Sequence, residues 1–408
     1  MKRIASFILA LAATLVAPAQ TTSPNAMPLA IDADFPGGNI LVETIEGDTV
    51  HLKPELKGTA KPWFYWYFRV KGAAGRTLTF VFDKSVMGVR GPGVSLDAGR
   101  TWKWLGADAV KEGTFTYAFP AGANEVRFSV GMPYLRADFD RFLARHKDSP
   151  FLQVETLTKT PKGRDVIMVR IGEKGTKARF AVAATARHHC CEMMASYILE
   201  GLLEEALANN ATGRGLREHA EFLFVPFMDT DGVENGDQGK GRPPHDHNRD
   251  YIDQPIYAEV RALKEKLPAW SEGRPLIFFD LHDPALKVDI HETVHFLEPE
   301  SRDQAQRLDE LTSLLERDQQ GGIIYSKQTT MRFGTGYNRN TPGISSGWAR
   351  SLPNTILGVT METAYANAGG CEVNADSARD LGRDLAFALQ EFLKAHPELA
   401  IKKLEGAQ

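Results

Sequence analysis

The sequence predicts an α/β protein in two parts: a mixed-sheet domain covered by helices, preceded by an antiparallel β-sandwich. Three observations carry this. From about Asn39 to Val130, short runs of aromatic and β-branched residues are separated by Gly and Pro, with no helical period between them. From Phe151 onward, apolar strand-like runs alternate with segments of helical period, the texture of a sheet with helices on both faces. At 408 residues the chain also exceeds one typical domain. The expected divisions are a leader over 1–19, the sandwich over 20–147 and the α/β domain over 148–400.

The leader is read from Lys2 and Arg3, the apolar stretch Ile4 to Val16, and the small-x-small site Ala17-Pro18-Ala19. Cleavage after Ala19 implies an exported protein, periplasmic or secreted. The stretch is too short to span a bilayer, and no other run approaches twenty apolar residues, so no membrane span is expected. A composition of 43% hydrophobic and 25% charged residues is that of a soluble globular protein. A formal charge of −4 gives no reason to expect nucleic acid or an anionic membrane as partner. Three cysteines are too few for a disulfide-built scaffold.

In the first domain, Trp63 to Val70 is dense in aromatics, and Thr77 to Phe82 follows after a Gly-containing turn. Phe115–Phe119 and Glu125–Val130 complete the strand set. The aromatic run suits core packing better than a carbohydrate platform, and no catalytic cluster is evident there. Asp138 to His146 reads as a bridging helix. A hairpin, Val154–Leu157 and Asp165–Ile171 around Lys162-Gly163-Arg164, opens the second domain. Its buried strands are expected at Ala178–Ala186, Ala220–Phe227, Pro275–Leu281 and Asn354–Met361. Its helices are expected at Met193–Leu207, Tyr257–Leu267, Arg302–Leu315 and Ser377–Ala395.

Each buried strand ends in polar residues that are costly to place there without a reason. The first runs into His189-Cys190-Cys191-Glu192, where a His and a Glu three apart in a strand-to-helix turn can share one metal ion. A catalytic zinc site needs a third protein ligand and leaves a position open for water. The second strand leads to Asp229 and a Gly- and Pro-rich loop reaching His247-Asn248-Arg249. The third ends at His282, and the last at Glu362. A rival pattern, His291-Glu292-Thr293-Val294-His295, matches the zinc-protease His-Glu-x-x-His motif. That chemistry needs both histidines on one helix face, whereas the flanks alternate as a strand does. On a strand, residues i and i+4 lie about 13 Å apart, too far for one metal.

His189-Cys-Cys-Glu192 with His282 and Glu362 resembles the zinc metallocarboxypeptidases of the carboxypeptidase A type (funnelins), closest to their cytosolic-carboxypeptidase-like branch. Tyr65 to Val70, Gly163-Arg164, Asp231-Gly232-Val233 with Asn235-Gly236, and Thr360-Met361-Glu362 are similar to further motifs of that branch, so the resemblance spans nearly the whole mature chain. It implies a mixed-sheet zinc carboxypeptidase domain that hydrolyses the C-terminal residue of peptides or proteins. His189, Glu192 and His282 would hold one Zn²⁺ per chain, whose bound water attacks with Glu362 as general base. Asn248 and Arg249 would grip the substrate's terminal carboxylate, and Tyr337 would close over it. The family's oxyanion-stabilising Arg has no direct counterpart; Lys240 and Arg242 are the nearest cations, and both stay open.

The resemblance also suggests an active-site disulfide from Cys371 to Cys190 or Cys191, because the loop after Glu362 passes near the ligand turn. It would close a loop of about 180 residues. The branch removes C-terminal glutamates, for which Arg332, Arg339 and Arg350 are candidate pocket cations. His245 and His247 flank the carboxylate-binding pair and are expected to pack or hydrogen-bond rather than bind a second metal. Two other functions remain in view: a zinc amidase or deacylase acting on a non-peptide or cell-wall amide, which would lack Asn248-Arg249, and a non-catalytic binding protein of the same fold, which would have lost Glu362 or a ligand.

Overall fold

A computed structural model describes residues 27–83, 86–173, 178–286 and 292–401. The expected leader lies outside them, as does His291 of the His-Glu-x-x-His segment.

The N-terminal part is two five-stranded sheets packed face to face. One runs Ala30–Asp32, Tyr67–Lys71, Glu125–Ser129, Gly93–Ser95, Lys103–Trp104; the other runs Leu41–Glu46, Thr49–Lys53, Thr77–Phe82, Thr114–Ala118, Val110–Lys111. Period-2 alternation buries Val50 and Leu52, Phe68 and Val70, Leu78 and Phe80, and Val126 and Phe128 between the sheets. Trp66, Phe68, Phe80, Phe115 and Phe128 stack or tilt against one another there, so the aromatic run Tyr65 to Phe68 is core. One pairing is parallel, Thr49–Lys53 beside Thr77–Phe82. The chain visits the opposite sheet at Tyr67–Lys71 between those two strands, and that crossover is what a parallel pair requires.

The second part is a seven-stranded mixed sheet in the order Leu152–Lys159, Asp165–Ile171, Ala220–Val225, Phe180–Ala186, Leu276–His282, Thr355–Thr363, Val294–Leu297. The four central strands run parallel, and the outer pairings are antiparallel. Residues of one parity, such as Val182, Ala184, Ile277, Phe279, Leu357 and Val359, pack under the helices Met194–Leu207, Arg302–Asp318 and Ala375–Ala395. The other parity, Ala181, Ala183, Leu223, Val225 and Phe278, packs on the helix Ala258–Ser271 and Ala349 of Ser345–Ser351. Burial on both faces is why these strands read as continuous apolar runs.

The expected hairpin, the four buried strands and the four long helices are present to within a few residues. Among the described residues, the α-helices Ala211–His219, Thr230–Asn235, Ser345–Ser351 and Glu398–Ile401 were not anticipated. The helix begun at Ala258 also runs through Pro268 to Ser271, because a proline in the last turn removes one hydrogen bond without breaking a tightly packed segment. His295 sits on a strand antiparallel to the Glu362 strand, opposite Glu362 itself. Among the described residues no helix is long and apolar enough to cross a membrane.

Candidate active site

Because the central strands are parallel and in register, their C-terminal ends form one rim. His282 pairs with Glu362 and Ala186 with Leu281, so the turn after Ala186 and the ends of the next two strands converge. The turn is built at some backbone cost. Arg187 holds φ +62°, a region that residues with a side chain avoid. Its buried guanidinium offsets this by bonding the carbonyls of Cys190 and Tyr134 and the Ser196 hydroxyl. Asp283 accepts from the backbone N–H groups of Met194 and Ala195, tying the start of the following helix to the end of the His282 strand.

Glu192 lies between two imidazoles. Its Oε1 is 2.8 Å from His189 Nδ1 and its Oε2 is 2.6 Å from His282 Nδ1, all fully buried. One donor atom from each of the three residues lies within 4.8 Å of the others. Burial pushes the Glu192 carboxyl up, but His189, Lys240 and His282 together outweigh it and hold it well below the usual carboxylate range. The far nitrogens face carboxylates: His282 Nε2 is 2.8 Å from Asp280, and His189 Nε2 is 3.5 Å from Asp246. Such partners orient a metal-binding imidazole and fix its tautomer. Two imidazole nitrogens and one carboxylate are the donor set of a catalytic zinc site with one position open.

A second trio, His188, Asp280 and His282, has the same proximity. Its members are otherwise engaged: His188 Nε2 with the Tyr251 hydroxyl at 2.8 Å, and Asp280 with Thr185 at 3.0 Å and with Ser345. The first trio, by contrast, meets a cleft of about 440 Å³ lined by His189, His282, Glu362, Lys240, Asn248, Arg249, Tyr337, Arg339 and Trp63 among others. Glu362 is buried, and its Oε2 has no hydrogen-bond partner among the described residues. Burial pushes its carboxyl up to about 7; Glu192 adds to the rise while His282 and Lys240 oppose it.

Asn248 Oδ1 accepts from Ser345 N at 2.9 Å, and its amide lies 3.0 Å from His282. Arg249 donates to the Asn248 carbonyl at 2.7 Å, holding its guanidinium along the cleft. The Tyr337 hydroxyl lies 2.5 Å from His295 Nε2.

The two cation candidates part company. Lys240 Nζ lies 3.4 Å from Glu192 Oε1, at the cleft. Arg242 is committed elsewhere, donating to Asp229 at 2.6 Å and Asp237 at 3.0 Å, and does not line the cleft. Of the three arginines considered for an acidic pocket, only Arg339 lines the cleft. Arg350 donates to the Gly358 carbonyl, and Arg332 borders a separate groove with Glu298 and Lys327. His245 bonds Asp250 at 2.7 Å, and His247 stacks on Tyr257 at 3.7 Å.

The expected disulfide is not formed: Cys190, Cys191 and Cys371 are free thiols. Cys190 Sγ donates to the Asp237 carbonyl at 3.0 Å, and the Cys191 thiol is enclosed beside the Tyr365 hydroxyl. Cys371, half-buried, opens the second strand of a two-residue hairpin opposite Ala368. Asp246, Asp280 and Trp63 belong to the site and were not anticipated. Asp280 carries a signal after the fact: it lies two residues before His282 on a strand, hence on the same face.

Residues 140–269 match the family described as zinc carboxypeptidase. The chain is 29% identical over 219 residues to an uncharacterized protein of Zymomonas mobilis, a match covering 52% of this chain and 56% of that protein. It is 27% identical over 188 residues to cytosolic carboxypeptidase 3 of Bos taurus, covering 43% of this chain and 19% of that one. The chain therefore spans about half the length of the first relative and about a fifth of the second. Among solved structures, a metallo-carboxypeptidase from Burkholderia cenocepacia aligns with a TM-score of 0.74 at 21% identity, over 90% of this chain and 100% of that one. A metallo-carboxypeptidase from Pseudomonas aeruginosa in complex with (2-guanidinoethylmercapto)succinic acid gives 0.70 at 20% identity, over 90% and 99%. At these identities the likeness is one of fold.

Proposed function

We propose that this chain, whose residues 140–269 match the zinc carboxypeptidase family, is a zinc-dependent carboxypeptidase releasing the C-terminal residue of peptides. The observation that carries the reading is the shared cleft: His189 and His282 of a two-His, one-Glu donor set, the buried Glu362 carboxylate with an oxygen unpartnered among the described residues, and Asn248-Arg249 all line one space. His189, Glu192 and His282 would hold Zn²⁺, which when bound supplies Lewis acidity at the scissile carbonyl and makes water more acidic. Arg249 and Asn248 offer donors to a terminal carboxylate, and this pairing fixes the scissile bond one residue from the end.

Glu362 takes the proton from the attacking water and returns it to the leaving amine. A carboxyl poised near neutrality suits both transfers. Lys240 places an ammonium where negative charge grows on the carbonyl oxygen. Tyr337, which lines the cleft, would cover the bound residue. An amidase or deacylase using the same donors would leave Arg249 without a task, so free-acid peptides are the favoured substrates. Arg339 in the cleft favours an acidic C-terminal residue. Lys2 to Ala19 supports action outside the cytosol.

Glu362→Gln tests the division of labour. Turnover should fall by at least about two orders of magnitude, with zinc content and affinity for a product peptide unchanged. A variant that keeps wild-type turnover would remove Glu362 from the mechanism.

A further inference from the structure

Lys240 is carried on a loop that the catalytic domain alone does not hold. Either side of it, the backbone pairs with a segment of the N-terminal sandwich. Gln238 N donates to Lys57 O at 2.9 Å, Gly239 N to Gly58 O at 3.2 Å, and Ala60 N to Gly241 O at 3.1 Å. The Thr59 hydroxyl donates to the Lys240 carbonyl itself at 2.8 Å. The buried Gln238 amide extends the seam, bonding the Tyr65 N–H and the carbonyls of Tyr65 and Glu55. Gly239, at φ +81°, lies so close to the ligand turn that a Cβ would come within 2.6 Å of Cys190 N and Sγ, so only glycine permits this approach.

The side chain is guided as well. Trp63, from the sandwich, lines the cleft and places its ring 5.6 Å from Lys240 Nζ, within cation–π reach. The indole stacks on Phe64 at 5.0 Å, and Phe64 meets Tyr365 edge-on at 5.4 Å, just beyond Glu362. A lysine ammonium is a point charge on a flexible four-carbon stem, without the preorganised fork of an arginine. An external wall is therefore what fixes its direction.

We propose that the N-terminal sandwich is a working part of the active site, with Trp63 and the segment Lys57–Lys61 acting as positioning residues that aim Lys240 at the reacting carbonyl. This rests on the role assigned to Lys240 above, and the test separates the two.

The test is a kinetic cycle on the full zinc-loaded chain with Trp63→Leu, Lys240→Gln and the double variant. Alongside it, the rate of reductive methylation of Lys240 is followed by mass spectrometry on the metal-free chain. Trp63→Leu should lower kcat about three- to thirty-fold, with KM changed by less than about twofold. In the Lys240→Gln background it should cost nothing further. Lys240 methylation should quicken several-fold on loss of Trp63, and Trp63→Phe, which keeps an aromatic face, should restore most of both values. Equal losses in the two backgrounds, or a rise in KM in place of the fall in kcat, would overturn the proposal. So would an unchanged methylation rate. If Lys240→Gln alone keeps wild-type kcat, the catalytic role of Lys240 fails, and the methylation rate still decides whether Trp63 positions it. If Trp63→Leu does not fold, Thr59→Val, which removes the hydroxyl that bonds the Lys240 carbonyl, carries the same comparison.

Discussion

Replacing Arg242 with Leu removes the cation from between Asp229 and Asp237, at 2.6 and 3.0 Å. The Asp229 side chain is 4% exposed and that of Asp237 12%, so water cannot take over the lost contacts. Breaking a buried pair from one side costs about 3–5 kcal/mol. The guanidinium itself is 20% exposed, which argues for the lower end, about 3 kcal/mol. At roughly 2 °C per kcal/mol for a domain of this size, the unfolding midpoint should fall by about 6 °C. Activity per folded molecule should change by less than about threefold, because Arg242 does not line the cleft. Lys240→Gln should do the reverse: kcat falls by at least about a hundredfold while the midpoint moves little. The pH dependence carries the same signature. Burial pushes the Asp229 carboxyl up, yet His247 and Arg242 hold it below its ordinary 3.8. A depressed carboxylate stabilises the fold above that ordinary value and loses the contribution as pH falls through the folded one. The acid side of the stability profile should therefore flatten in the Arg242 variant. Calorimetric melting from pH 3 to 8, with kinetics at each point, measures both. An Arg242 variant that melts like the wild type but has lost its kcat would refute the assignment of the two cations.

Three further outcomes are expected. Asp246→Asn and Asp280→Asn, which alter the carboxylates behind the two histidines, should each weaken zinc about ten- to a hundredfold by competition with a fluorescent chelator. Glu259 is raised by burial from 4.5 to about 7, so its favourable contribution is complete below pH 4.5 and is lost as pH rises through about 7. Glu259→Gln should accordingly stabilise the protein above pH 7 by on the order of 2–3 kcal/mol and leave it unchanged near pH 4, read from denaturant midpoints. Thiol titration of denatured, unreduced protein should find three free thiols, one for each cysteine; two fewer would restore the disulfide.

What the sequence made legible follows from which forces act locally. The α/β part announced itself because two-sided burial forces long apolar runs, and those runs make their polar ends conspicuous: His189, Glu192, His282 and Glu362. Ala211–His219 was hidden by Gly213 and Gly215, which lower helical propensity, although Asn210 caps its start. Asp246 lies in a loop without period, so its place behind His189 depends on the tertiary course of the chain. Trp63 is indistinguishable in composition from its core neighbours Trp66 and Phe68; only the seam between the two domains turns it toward the cleft. Arg242 and Lys240 looked interchangeable because both are cations two residues apart. The buried Asp229 and half-buried Asp237 that claim Arg242 come from neighbouring turns.

The central claim is a metal-dependent exopeptidase that recognises a free C-terminus. One measurement addresses it most directly: amino-acid release from a peptide ending in glutamate and from its C-terminal amide, before and after chelation and again after zinc is restored. Release of single residues is expected from the free acid alone, abolished by chelator and regained with about one Zn²⁺ per chain. Equal cleavage of the amide, or release that survives complete removal of metal, would contradict it.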